Sequence, residues 1–226
     1  MKDSPIIENT YVAFCDILGF SSNVKADFEN TIVIYREFKK EVHMKGGIDA
    51  NISVYSDSII IESDSLLKVC HAAQLLLWTT LRHGWIVRGG VAYGKHWKEA
   101  DESNLFIVSE ALVKAVDIEK CVGNPIIALS EEISLGLEYW HLGFQHSVFN
   151  LPIIHWDKRN IINPFNNYWF ASAVINLRKI KERNPFHENK YDYLLKLAEA
   201  IKLEECFIPQ PIIDDLLEQK LIHKVK

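Results

Sequence analysis

The stretch YVAFCDILGFSS, residues 11–22, decides how this chain is read. Tyr11 through Cys15 form an unbroken apolar run, the pattern of a strand buried on both faces. The run ends in Asp16, and Ile17-Leu18-Gly19-Phe20 follows. An ionised carboxylate at the end of a buried strand is costly unless a cation or a set of donors meets it. No Lys or Arg lies within eight residues of Asp16 on either side. Either a side chain from elsewhere in the chain or a metal ion must therefore face it.

Outward from this strand, residues 27–42 carry Phe28, Ile32, Val33, Tyr35 and Phe38 among charges, which predicts an amphipathic helix broken by Gly46-Gly47. Ile52 and Val54 then alternate up to a Tyr55-Ser56-Asp57-Ser58 turn, and the β-branched run Ile59-Ile60-Ile61 follows as a central strand. A broad apolar face from Leu66 to Leu81 predicts a helix over 65–82 with Asp64 or Ser65 as N-cap. WIVRGGVAYG (85–94) reads as a strand closely approached at Gly89-Gly90, and NLFIV (104–108) as a short one. Ser109 caps a helix to about Glu119, PIIAL (125–129) is a further strand, and Ser130 caps a short helix.

The order β, α, β-turn-β, α, β, β, α, β predicts an α+β fold, a mixed sheet flanked by helices, compatible with a ferredoxin-like or palm core. Residues 1–140 hold this core. Residues 141–226 read as an extension, packed on the core or on a second subunit. VFNLPIIHWD (148–157) gives one or two strands there. Helical spacing follows from Trp169 to Ile180, from Tyr191 to Ile201 and from Ile212 to Leu217, punctuated by Pro164, Pro185, Pro209 and Pro211.

A chain of 226 residues that is 48% hydrophobic can bury a large core. Its net charge of −5 argues against non-specific nucleic-acid binding, yet permits a small phosphate ligand whose charge metal ions carry. Cys15, Cys70, Cys121 and Cys206 form no CxxC pair and read as reduced thiols. The N-terminal residues lack a hydrophobic signal, and apolar stretches such as 72–78 are too short to span a bilayer, so the expectation is a cytoplasmic protein with no membrane partner. His141, His146 and His155 lack metal-ligand spacing, and RKIKER (178–183) reads as a solvated helix face.

In a sheet of this topology the strands ending at Asp16 and flanking Asp57 lie side by side, which brings two carboxylates to one rim. Two such acids repel, and one takes up a proton unless a divalent cation sits between them. Mg²⁺ or Mn²⁺ suits this: hard oxygen ligands, few of them from protein, the rest from water and phosphates. The Gly19 turn leads into a helix, where free backbone N–H groups can hold phosphate oxygens.

FCDILGF (14–20) resembles the first metal-binding motif of class III nucleotide cyclases. VYSDSIII (54–61) resembles the hairpin of their second metal Asp, VRGGVAYG (87–94) is similar to their Arg-x-Gly-Ile strand, and VSEALVKAVDIE (108–119) falls at their Val-Asn-x-Ala-x-Arg helix. The resemblance covers about residues 8–135, and the DILGF wording looks most like the bacterial Pycsar pyrimidine cyclases. It implies that Asp16, Asp57 and the Ile17 carbonyl bind two Mg²⁺ or Mn²⁺ ions, and that Leu18, Gly19 and Phe20 contact a triphosphate. It implies a homodimer with a composite site that turns UTP, before CTP, into the 3′,5′-cyclic monophosphate and pyrophosphate. The product would be an anti-phage signal read by a separate effector protein.

Four positions bear on departures from the family. Ser53 stands where purine cyclases carry a base-reading Lys, and Tyr55 could crowd the base pocket in favour of a one-ring base. Val113 and Asp117 replace the Asn and Arg that steady the transition state, leaving Arg88, Lys95, Lys114 or Lys120 to supply charge. The alternatives are an adenylate or guanylate cyclase with unusual base contacts, a catalytically silent cyclase-fold module that binds a nucleotide or partner, or another palm-type nucleotidyltransferase.

Overall fold

The apolar run at 11–15 lies in strand β1 (Glu8–Leu18), around which the sheet is built. The computed structural model describes residues 6–44, 50–100, 105–183, 187–203, 205 and 207–223. β1 pairs antiparallel with β3 (Ser58–Ser63) on one side and with β4 (Ile86–Ala100) on the other. β2 (Asn51–Tyr55) joins outside β3 through the tight turn at 56–57. On the far side β4 runs parallel to β6 (Ile127–Leu129), which pairs with β8 (Arg159–Ile162), itself paired with β7 (Ile153–Trp156). The order is β2-β3-β1-β4-β6-β8-β7, with β5 (Leu105–Ser109) on the outer half of β4. With its flanking helices this mixed sheet is the expected α+β palm core.

Alternation along β1 sends its side chains into two layers. Ala13, Cys15 and Ile17 enter the main core with Ile34 and Phe38 of α2 (Phe28–Met44) and the buried face of α3 (Leu66–Arg82). Val12 and Phe14 point the other way, to Ile60 and to Ala111 and Leu112 of α4 (Glu110–Cys121). Small residues let α4 lie close to the strands. A Cβ on Gly90 would stand 2.3 Å from the Ala115 carbonyl oxygen, and Ala111 and Ala115 are fully buried. The Ser109 hydroxyl caps this helix, accepting from the Leu112 N–H at 2.9 Å.

The C-terminal region packs on the same sheet. Ala173 and Leu177 of α6 (Phe170–Arg183) and Leu194, Leu197 and Ile201 of α7 (Glu188–Lys202) share a core with Leu81, Ile86 and Ala128. Trp140 of α5 (Leu137–Gln145) packs with Leu216 of α8 (Gln210–Glu218). The boundary at 140/141 thus falls inside α5.

Several local expectations need correction. Ser65 occupies the N-cap position of α3, but its side chain makes no capping bond. Ser130 starts a turn rather than a helix, and the next helix, α5, begins only after Gly136. The segment 148–157 holds one strand, β7, within the expected one or two, and its partner β8 follows the Asp157-Lys158 turn. Gly46-Gly47, Pro185 and Cys206 lie outside the described residues. Cys15, Cys70 and Cys121 are free thiols, and among the described residues no helix is long and apolar enough to cross a membrane.

Candidate active site

Backbone pairing brings Asp16 and Asp57 to one rim of the sheet. Asp16 lies opposite Ser58 of β3 and opposite Arg88 of β4. The Ile17 N–H donates to the Asp57 carbonyl at 3.0 Å, which pins the β2–β3 turn to the end of β1. Among the described residues neither carboxylate has a hydrogen-bond or ion-pair partner. Burial, and next the charge of Asp57, push the Asp16 carboxyl above the ordinary carboxylate range; Glu119 adds to this, while Arg88 and Lys190 act against it.

Arg88 is in register with Asp16, but its guanidinium is bonded to the buried Glu119 of α4. The expectation that Asp16 closes the strand needs correction, because β1 runs two residues further to Leu18; Asp16 lies near its end with a second acid beside it and no base bonded to it. That donor set fits a hard divalent cation. Among the described residues no group of three His, Cys, Asp or Glu side chains gathers to hold a metal. A two-carboxylate site leaves coordination positions to water and phosphate oxygens, as Mg²⁺ prefers.

An aromatic base supports the rim. Phe20, Tyr35 and Trp85 meet edge to face, with ring centroids 5.9–6.4 Å apart. The Tyr35 hydroxyl donates to the Ser56 carbonyl and steadies the turn that carries Asp57. Burial, then the charges of Asp57 and Asp16, push this phenol up. Sequence reasoning read Tyr35 only as part of a helix face. Gly19 adopts φ +75°, the left-handed conformation that lets the chain turn from β1 into α1 (Phe20–Ala26).

The register puts Tyr55 opposite Ser58, and Ser53 opposite Ile60, which faces Phe14. Residues directly opposite share a sheet face, so Ser53 and Tyr55 stand on the Asp16 face. Of the four expected cations, Arg88 alone lies beside the acids. Lys95 sits far along β4 opposite Asn9, Lys114 is held by Glu110 and Glu132, and Lys120 is exposed in the last turn of α4. Val113 and Asp117 are exposed on α4, and Asp117 lines a cavity with His155, Lys158 and Arg159 of the β7–β8 hairpin. His155 bonds Asn160, and His141 contacts Gln145.

No protein-family profile matches the chain, and no curated protein is significantly similar to it in sequence. Solved structures do resemble it. An adenylate cyclase from Trypanosoma brucei, solved in a monomeric state, superposes with a TM-score of 0.51 at 15% identity, over 70% of this chain and 89% of that one. A bacterial light-regulated adenylyl cyclase gives 0.48 at 14% identity, over 77% and 99%. The adenylyl cyclase CyaB from P. aeruginosa gives 0.44 at 14%, over 57% and 80%. The first of these carries the conclusion: the chain has the palm fold of nucleotide cyclase catalytic domains.

Proposed function

We propose that this protein is a nucleotide cyclase that uses a pyrimidine nucleoside triphosphate, UTP before CTP. The observation that carries the reading is the convergence of Asp16 and Asp57, neither bonded to a base, at one rim of a cyclase-fold sheet. Asp16, Asp57 and the Ile17 carbonyl would hold Mg²⁺ or Mn²⁺. When bound, such ions lower the pKa of the attacking ribose 3′-hydroxyl and neutralise phosphate charge. The chain itself fixes the two acids through the Ile17–Asp57 bond and backs the turn with Tyr35. The Leu18-Gly19-Phe20 turn contacts the triphosphate.

Ser53 in place of a purine-reading Lys supports pyrimidine use. So does Tyr55, a half-exposed ring on the Asp16 face that narrows the space for a base. Exposed Tyr93, Phe106 and Val108, with Tyr93 stacked on Tyr11, support a homodimer joined along β4–β5. The cyclic product would serve as an anti-phage signal to a separate effector in the cytoplasm.

A second reading is favoured by Val113 and Asp117, which take the places of the family's transition-state Asn and Arg: a cyclase-fold module that binds nucleotide without turnover. Incubation with each of the four ribonucleoside triphosphates and Mn²⁺, with mass-spectrometric identification of products, separates these. Cyclic UMP or cyclic CMP, lost in Asp57→Ala, is the expected outcome. A cyclic purine product corrects the base. Binding without pyrophosphate release from any triphosphate establishes the silent module instead.

A further inference from the structure

A cavity of about 640 Å³ opens beyond the Leu18-Gly19 turn, and its far wall is built by the C-terminal region. Leu18, Gly19 and Asn23 line one side; Arg183, His187 and Lys190 line the other. Arg183 ends α6, His187 precedes α7, and Lys190 is in the first turn of α7. Close packing sets their position. A Cβ on Gly84 would stand 2.0 Å from the Ile180 Cδ1 methyl, and Gly84 adopts φ +75°, so glycine suits this contact with α6, and the neighbouring Tyr191 is buried.

This chain has more acids than bases. It carries 30 acidic residues to 25 basic ones, and Arg82, Arg88, Lys98, Lys114 and Lys181 all pair with carboxylates. Among the described residues Arg183, His187 and Lys190 form no ion pair, although three cationic or protonatable groups around one cavity repel. The Lys190 ammonium is also near enough for its charge to act on Asp16. Unpaired cations around one cavity, one of them acting on an unpaired acid, suit a ligand that is anionic and carries metal ions, which is a polyphosphate.

We propose that Lys190, backed by Arg183 and His187, binds the β- and γ-phosphates of the triphosphate, so that the C-terminal helices complete the site from within the same chain. This rests on the cyclase reading. In that reaction the ribose 3′-oxygen bonds to the α-phosphorus and its proton passes to solvent. The bond from the α-phosphorus to the bridging oxygen breaks, and pyrophosphate leaves with the electron pair. Lys190 meets the charge that collects on that leaving group. The acids would hold the reacting end, and the cavity begins two residues beyond Asp16 in the chain, at Leu18 and Gly19.

The test is calorimetric titration of the full chain with inorganic tripolyphosphate in the presence of Mn²⁺. Lys190→Met should weaken binding about 10- to 100-fold, the loss of one charge-assisted hydrogen bond, with Arg183→Gln weakening it less. Lys190→Arg should retain most of the affinity, and Lys196→Met, an exposed charge of the same helix outside the cavity, should leave it unchanged. Thermal melting confirms that each variant is folded. Wild-type affinity in Lys190→Met, equal weakening in Lys196→Met, or no tripolyphosphate binding by the wild type overturns the proposal. A wild type that binds tripolyphosphate through Lys190 but forms no cyclic nucleotide keeps this site and removes the cyclase reading. Normal turnover with Lys190→Met indistinguishable from wild type does the reverse.

Discussion

Asp16→Asn should make the metal-free protein more stable. The side chain is half-buried, Asp57 stands beside it, and the nearby Arg88 is committed to Glu119. The ionised wild type therefore bears a desolvation cost and a like-charge repulsion that nothing bonded to it offsets. After solvent screening at this partly open site, relief of about 1 kcal/mol is expected. For a chain of this size that raises Tm by about 2–4 °C in chelator at neutral pH. The direction with pH follows from the raised Asp16 carboxyl. The folded state holds that proton more tightly than the unfolded chain, so this group's contribution to wild-type stability is fully present below the unfolded pKa. It is lost as pH rises through the folded pKa. The gap between Asn variant and wild type should accordingly close in acid and open towards neutrality. Mn²⁺ should reverse the ranking. At a concentration of about 100 times Kd it stabilises the wild type by about 2.7 kcal/mol, and the variant hardly at all. Thermal melting from about pH 4 to about pH 8, with chelator or with Mn²⁺, reads each of these effects. A variant that melts below wild type in chelator at neutral pH, or gains as much from Mn²⁺, refutes the reasoning.

Two further outcomes test the scaffold. Gly90→Ala drives a Cβ to 2.3 Å from the Ala115 carbonyl oxygen and 2.7 Å from Ile118 Cβ, so α4 must move off the sheet. A loss of about 1–3 kcal/mol in urea unfolding is expected, and an unchanged midpoint contradicts the close packing. Glu119→Gln strips the Arg88 guanidinium of its charged partner and should cost about 1.5–3 kcal/mol. Adding Arg88→Met should recover part of that loss; additive losses in the double variant would show that the pair does not couple.

The approach of the two carboxylates was legible because it depends on strand periodicity and one tight turn. An apolar run up to Asp16 and a β-branched run starting just after Asp57 set one acid near the end of β1 and the other in the β2–β3 turn, and antiparallel pairing with β1 did the rest. Ser109 could be read as a cap because a helix-periodic run follows it. Ser130 misled because its side chain meets the Glu132 N–H within a turn. The expected short helix after Ser130 forms later in the chain, as α5 after Gly136, and within it Gly143 makes room for the Leu151 side chain. Tyr35 and Lys190 were invisible for a different reason. Their link to the acids runs through tertiary packing: the Phe20-Tyr35-Trp85 contact in one case, the seating of α6 against Gly84 in the other. Neither leaves a periodic signal in sequence.

The most direct test of the central claim is Mn²⁺ electron paramagnetic resonance, titrating the ion into the protein with inorganic tripolyphosphate present. The free-ion signal should fall as wild-type protein binds Mn²⁺, and Asp16→Asn and Asp57→Ala should each restore most of it relative to a protein-free tripolyphosphate baseline. Retention of bound Mn²⁺ at wild-type affinity in both variants would contradict a cation shared between these two acids.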